Sequence, residues 1–305
     1  MTVAAFSGFD SGFKQQRIPG AGTELHVVCG GSGPPLLLLH GYPQSHVMWH
    51  KVAPVLAERF TLVIPDLRGY GDSGKPAGGG GHAEYSKRTM ANDVVSIMRA
   101  LGFSRFNVAA HDRGARVAHR LAMDHAGQVK KLMLLDIAPT LAMYEQTSMD
   151  FARSYWWWFF LIQPAPFPET LIGAAPEVYL KKKIGYGRAG LAPFTPEAYE
   201  EYLRHISDPA TVHGMCEDYR AAASIDLEHD REDRSAGRGI RCPVHALWGE
   251  HGVVNRCFKP LEEWRKVTDR EFPVTGYTLP SGHYIAEEVP ELLVKEIDGF
   301  FSEAK

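Results

Sequence analysis

The chain has 305 residues, 45% hydrophobic and 23% charged, with a formal net charge of −3. That length admits one large α/β domain or a core with an inserted second one. The mixed signs leave no basic stripe for a nucleic acid, and no run approaches the roughly 18 apolar residues of a membrane span. Cys29, Cys216, Cys242 and Cys257 are scattered, without the close pairs of a zinc site, and the N-terminus lacks the basic start and apolar stretch of a secretory signal. Reduced thiols in a cytoplasmic protein are therefore expected.

Taken in chain order, residues 25–29 (Leu-His-Val-Val-Cys) and 35–40 (Pro-Leu-Leu-Leu-Leu-His) read as strands joined by a Gly-Gly-Ser-Gly turn. Continuous aliphatic runs of this kind suit interior strands covered on both faces. Trp49, Val52, Val55 and Leu56 have helical spacing and predict a crossover helix over 49–59, leading to a strand at 60–64 that ends in Pro65-Asp66. Asp66, in a Pro-Asp-Leu-Arg-Gly-Tyr-Gly-Asp-Ser run, is expected to shape its loop. Gly78 to Gly81 form a four-glycine stretch without the Lys-Ser/Thr ending of a phosphate loop, and read as flexible linker. A helix over 91–101 precedes the strand 106–111, and a further strand at 131–135 ends in Asp136.

From about 138 to 236 the alternation stops. This stretch is rich in Trp, Tyr, Phe and Pro, and its helical patches are interrupted by Pro164, Pro166, Pro168, Pro193 and Pro196. It reads as a helical cap inserted into a core made of 1–137 and 237–305. Lys181-Lys182-Lys183 within it reads as a solvated helix face. Alternation resumes with a strand at 244–248, a helix at 261–267, a strand at 276–279 and a closing helix over 290–301. Strands alternating with helices predict a mostly parallel, doubly wound sheet. No internal repeat is found.

The chemistry concentrates after Phe106-Asn-Val-Ala-Ala-His-Asp-Arg-Gly-Ala-Arg116. An apolar strand runs into a sharp turn and a helix, with Asp112 at the apex and small residues, Ala110 and Gly114, two positions either side. This is the strand–nucleophile–helix elbow of the α/β-hydrolase fold, which usually carries serine. An aspartate with a reference pKa of about 3.9 is already an anion at neutral pH, so it suits displacement at a saturated carbon or opening of an epoxide. In a doubly wound sheet, ligands gather at the carboxyl ends of the strands. His40-Gly41-Tyr42-Pro43, Asp112, Asp136, Glu250 and His283 all follow strands.

The order nucleophile, acid, histidine fits the fold and makes His283 the base. Asp136 and Glu250 are both acceptable as the acid that holds the imidazole. Backbone N–H groups of Tyr42 and Arg113 are expected to form the oxyanion hole. Arg113 and Arg116, beside an anionic nucleophile, read as a clamp for a substrate carboxylate. His46 and His50 have metal-helix spacing but no glutamate after the first, and read as structural.

Together these motifs resemble the haloacetate dehalogenases, specifically the fluoroacetate dehalogenase group of the α/β-hydrolase superfamily. The resemblance spans nearly the whole chain. It rests on His40-Gly-Tyr-Pro-Gln-Ser-His-Val-Met-Trp-His50, His111-Asp-Arg-Gly-Ala-Arg116, Leu135-Asp-Ile-Ala-Pro-Thr140, Gln163-Pro-Ala-Pro166, Cys216-Glu-Asp-Tyr-Arg-Ala221 and Ser281-Gly-His283. It implies Asp112 as nucleophile, His283 as base, Asp136 as acid, and Arg113 with Arg116 on the carboxylate of a small anionic organohalogen substrate. It further implies Trp158 and Tyr219 as halide donors, no cofactor and no metal, and a homodimer.

One departure stands out. Fluoroacetate-cleaving members carry a histidine just before the halide-binding tryptophan, and here that residue is Trp157. A neutral indole N–H in its place predicts readier cleavage of chloroacetate or bromoacetate than of fluoroacetate. Two alternatives share the features: an epoxide hydrolase using Tyr155 and Tyr219 to protonate the epoxide, and a non-catalytic binder on the same fold. The arginine pair weighs against the first, and the presence of both nucleophile and base against the second.

Overall fold

A computed structural model describes residues 8, 9 and 12–302. Its eight strands are β1 (Phe13–Pro19), β2 (Glu24–Gly30), β3 (Pro35–Leu39), β4 (Thr61–Pro65), β5 (Phe106–His111), β6 (Val129–Leu135), β7 (Val244–Gly249) and β8 (Val274–Leu279). They form one sheet in the order β1-β2-β4-β3-β5-β6-β7-β8. β2 runs antiparallel to both neighbours, and the pairs from β4 onward are parallel. The expected mostly parallel, doubly wound sheet is therefore present.

β5 and β7 are buried along their whole length, and Leu36 to Leu39 of β3 show no exposed surface. Burying each such leucine is worth about 1.5–3 kcal/mol, which is why the aliphatic runs take the middle of the sheet. Sheet register then places the chemistry. Leu39 pairs with Ala110, His111 with Leu135, Leu135 with Leu247, and Gly249 with Leu279. Five parallel strands, β3 and β5 to β8, thus end nearly level, and the residues that follow them emerge along one edge.

Three local readings need correction. The crossover predicted over 49–59 is a 3-10 turn at His46–Trp49 followed by a short helix, Ala53–Leu56. Pro54 has no N–H to continue a helix from Trp49, but it fits a helix's first turn, so the helix restarts there. The helix predicted over 91–101 is Lys87–Ala100, beginning at Ser86, whose hydroxyl accepts the Thr89 N–H. β1 was not expected. Its sequence is polar and it is exposed along most of its length, as an edge strand tolerates.

Between β6 and β7 the described elements are helices, including Trp156–Phe160, Pro176–Ile184 and Pro209–Ala222. Among the described residues no helix is long and apolar enough to cross a membrane.

Asp66 does organise its loop. One carboxylate oxygen accepts the backbone N–H of His46 and lies 2.9 Å from its Nδ1, and the other accepts the Asp72 N–H and meets His26 Nδ1 at 3.1 Å. These bonds make the His26–His46–Asp66 cluster a structural brace. His50 is likewise held by the carbonyl of Val47, at 2.9 Å.

Candidate active site

β5 delivers Asp112 to the first position of the helix Asp112–Asp124, with φ at 45°. A left-handed conformation at a non-glycine residue is strained, and two glycines give it room. A Cβ on Gly114 would stand 2.4 Å from the carbonyl oxygen of His40, and one on Gly41 would stand 2.5 Å from Asp112 Cβ. His40 fixes the same loop, since its Nε2 accepts the Leu67 N–H at 2.9 Å.

Asp112 is almost wholly buried. Its Oδ1 accepts the backbone N–H of Tyr42 at 2.9 Å, and its Oδ2 lies 3.8 Å from His283 Nε2. The other nitrogen of His283, Nδ1, meets Asp136 Oδ2 at 2.6 Å. Asp136 Oδ1 accepts the Gly249 N–H at 2.9 Å. The His283 carbonyl is tied to His111 Nε2 at 2.8 Å, and Glu288 accepts the N–H groups of Gly282 and Tyr284. Of the two acids left open by the sequence, Asp136 is the one bonded to His283, whereas Glu250 is exposed.

Burial pushes the Asp112 carboxyl up, but the charges of His283, His111, Arg116 and Arg113 outweigh it and hold the pKa at about 2. Burial lowers His283 to about 4, against the opposing field of Asp112 and helped by Lys183. At neutral pH the site thus holds an anionic aspartate beside a neutral imidazole. Burial raises Asp136, with the Gly249 N–H acting the other way. Asp136 and His283 share a short hydrogen bond.

The arginines differ from each other. Arg113 is fully buried and its fork is closed on Asp218, with Nε 2.7 Å from Oδ2 and Nη2 3.0 Å from Oδ1. Asp218 also accepts from Tyr70 at 2.6 Å and pairs with Lys87. Arg113 therefore offers Nη1 alone. Arg116 is buried, and among the described residues no carboxylate is bonded to it. Its Nη1 donates to Thr140 Oγ1 at 2.9 Å and Ala138 O at 3.3 Å, and Nη2 meets Met143 Sδ. Arg113 lies 4.1 Å over the Tyr219 ring, and Arg116 4.6 Å over Trp158.

Arg113 Nη1, Arg116 Nε, Trp158 Nε1 and Tyr219 Oη are all buried, with no hydrogen-bond partner among the described residues. Buried donors are normally satisfied, and four left open on touching residues, two of them cationic, call for an anion. Trp157 is placed differently, with its ring face carrying the ammonium of Lys183 at 4.0 Å. Tyr155 reaches the base itself, its hydroxyl 3.3 Å from His283 Nδ1.

Lys183 corrects the reading of the lysine run. Lys181 and Lys182 are exposed, but Lys183 is 1% exposed, because the run sits on a helix whose inner face meets the site. Asp218 and Lys87 were also missed. A carboxylate inside Cys216-Glu-Asp-Tyr-Arg220 carries no periodic signal for its partner 105 residues away.

The sequence pattern of the alpha/beta hydrolase fold matches residues 34–284. A fluoroacetate dehalogenase from Burkholderia sp. is 43% identical over 96% of this chain and 95% of its own. A soluble epoxide hydrolase from Corynebacterium sp. is 33% identical over 92% of this chain and 94% of its own. The crystal structure of ALR0039 from Nostoc sp. PCC 7120 superposes with a TM-score of 0.92 and 52% identity, covering 96% of this chain and 99% of that one.

Proposed function

The chain belongs to the haloacetate dehalogenase group of the α/β-hydrolase family, and from that premise we propose that it hydrolyses a short 2-haloacid through an ester on Asp112. The observation that carries this reading is the set of four unpartnered buried donors beside a buried aspartate.

In the first step an oxygen of Asp112 attacks the carbon bearing the halogen. A carbon–oxygen bond forms, and the carbon–halogen bond breaks with its electron pair leaving on the halide. Arg113 Nη1 and Arg116 Nε hold the substrate carboxylate, while Trp158 Nε1 and Tyr219 Oη receive the halide. Aspartate needs no base here, because its carboxyl is held ionised.

In the second step His283 Nε2 takes a proton from water, and the oxygen of that water adds to the Asp112 carbonyl carbon. The Tyr42 N–H, already on Asp112 Oδ1, stabilises the oxyanion together with the Arg113 N–H, a contribution of about 3–4 kcal/mol per donor. On collapse the proton held by His283 passes to the departing alkoxide, giving the hydroxy acid, and the water's second proton, left on the Asp112 carboxyl, goes out through His283 as the carboxylate is restored. Splitting one displacement into two steps is the gain of covalent catalysis. In this reading 138–236 is a cap that supplies Trp158, Tyr219 and Tyr155 and excludes water.

Epoxide hydrolysis is the second reading, favoured by the Tyr155 hydroxyl beside His283 and by the epoxide hydrolase relative. A neutral epoxide, however, leaves the Arg116 charge and the open donors unmatched. Halide release from chloroacetate, bromoacetate and fluoroacetate, measured beside diol formation from styrene oxide, tests the choice. We expect chloroacetate and bromoacetate to be cleaved faster than fluoroacetate, and styrene oxide least. Faster turnover of styrene oxide would give the site to the epoxide reading.

Asp218 positions Arg113, so Asp218→Asn is expected to raise KM for chloroacetate about tenfold, with a smaller change in kcat. It should also lower Tm, since breaking a buried pair costs about 3–5 kcal/mol. An unchanged KM with a lowered Tm would confine Asp218 to folding.

A further inference from the structure

Lys183 is a buried cation that the two steps above do not use. It sits near the end of the helix Pro176–Ile184. Among the described residues no carboxylate pairs with it, and its ammonium donates to the Tyr284 hydroxyl at 2.7 Å. Four aromatic rings also lie around it. Nζ lies 4.0 Å from the centre of Trp157, 5.2 Å from Tyr284, and 5.4 Å from both Tyr42 and Tyr186.

Ring faces attract a cation, by about 2 kcal/mol or more once water is excluded. They also leave its charge unneutralised, whereas a paired carboxylate would cancel it. The charge therefore acts on the groups around it. The cage is made of site residues: Tyr42 supplies the N–H on Asp112, Tyr284 follows His283, and Tyr42 packs edge-on against Tyr219 at 5.1 Å. A small cavity of about 10 Å³ beside the cage is bounded by Ile184, Tyr186, Phe194, His283, Tyr284 and Glu288. Burial lowers the Lys183 pKa to about 7 and the field of Asp112 acts the other way, so the ammonium form predominates below neutral pH.

We propose that Lys183 is a specificity-determining residue of this site: its caged ammonium adds positive charge behind the residues around Asp112, and so selects an anionic haloacid over a neutral substrate of the same shape. This rests on the dehalogenase reading and adds a residue to it. It also gives Trp157 a role. Tryptophan at that position cannot carry charge, but its face holds the Lys183 ammonium one layer behind.

The experiment compares Lys183→Met, Lys183→Gln and Lys183→Arg at about pH 6, where the Lys183 ammonium predominates. Glutamine keeps a donor for Tyr284 without the charge, and arginine keeps the charge. The readout is the ratio of kcat/KM for chloroacetate to that for chloroacetamide, its neutral counterpart. Calorimetric binding of acetate and acetamide supplies a second ratio that needs no turnover. The expected result is a fall of about tenfold in both ratios for Met and Gln, with Arg close to the unaltered protein; tenfold is a modest effect for one buried charge.

A glutamine variant that keeps the unaltered ratios would reduce Lys183 to a hydrogen bond for Tyr284 and overturn the proposal. So would equal losses on anionic and neutral compounds, which mark a packing role. If the unaltered protein cleaves neither chloroacetate nor chloroacetamide, the dehalogenase reading fails. The acetate-to-acetamide ratio then decides Lys183 by itself, a fall in Met and Gln supporting the proposal and no change overturning it.

Discussion

His283→Gln, mixed with excess chloroacetate, is expected to release one halide per active site and stop, leaving the protein heavier by a carboxymethyl group. The reason lies in the division of labour between the two steps. Asp112 is ionised without help, its pKa held at about 2, so alkylation needs no base. Ester hydrolysis does, because water at neutral pH is a weak nucleophile until its proton is taken. Nε2 is the ring nitrogen of His283 that faces Asp112, 3.8 Å from Oδ2.

Rapid-quench halide measurement with intact-protein mass spectrometry checks both halves of the expectation. Absence of any burst would place His283 before halide departure and remove the two-step scheme. Asp136→Asn should slow the same second step, since it leaves the imidazolium without the carboxylate 2.6 Å from Nδ1. Glu250→Gln, at an exposed position, should leave it nearly untouched.

Asp112→Ala should remove turnover, by roughly 10⁴–10⁶-fold on the scale seen when a nucleophile is deleted. The fold should survive, because the buried strand β5 is unaltered and alanine relieves the carboxylate's burial. Strain at φ 45° remains, so any gain in Tm should be small. Isotope placement gives the positive test. A single turnover in heavy-oxygen water should put label into the Asp112 carboxylate, because water attacks the aspartyl carbonyl carbon. Label found only in the glycolate would mean that water attacks the substrate directly and that Asp112 serves as a base.

Much of this protein was legible in the chain. Leu36–Leu39 and Phe106–His111 announce buried strands because only a doubly covered sheet can hide such runs. The small residues around Asp112 announce a turn too tight for side chains, and the succession of Asp112, Asp136 and His283 follows from strands that must all end at one edge. Such signals are local, or follow from connection rules.

What only the tertiary structure decided depends on meetings between distant segments. Asp136 rather than Glu250 reaches His283 because β6 lies nearer than β7 to the elbow strand, next to β5 in the sheet. Arg113 has one free nitrogen because Asp218, 105 residues on, closes its fork. Lys183 is buried although its two neighbours in the lysine run are exposed, because one helix face turns toward Trp157 and Tyr284. β1 escaped notice for the opposite reason: an edge strand is held by backbone bonds to β2, which any side chains permit.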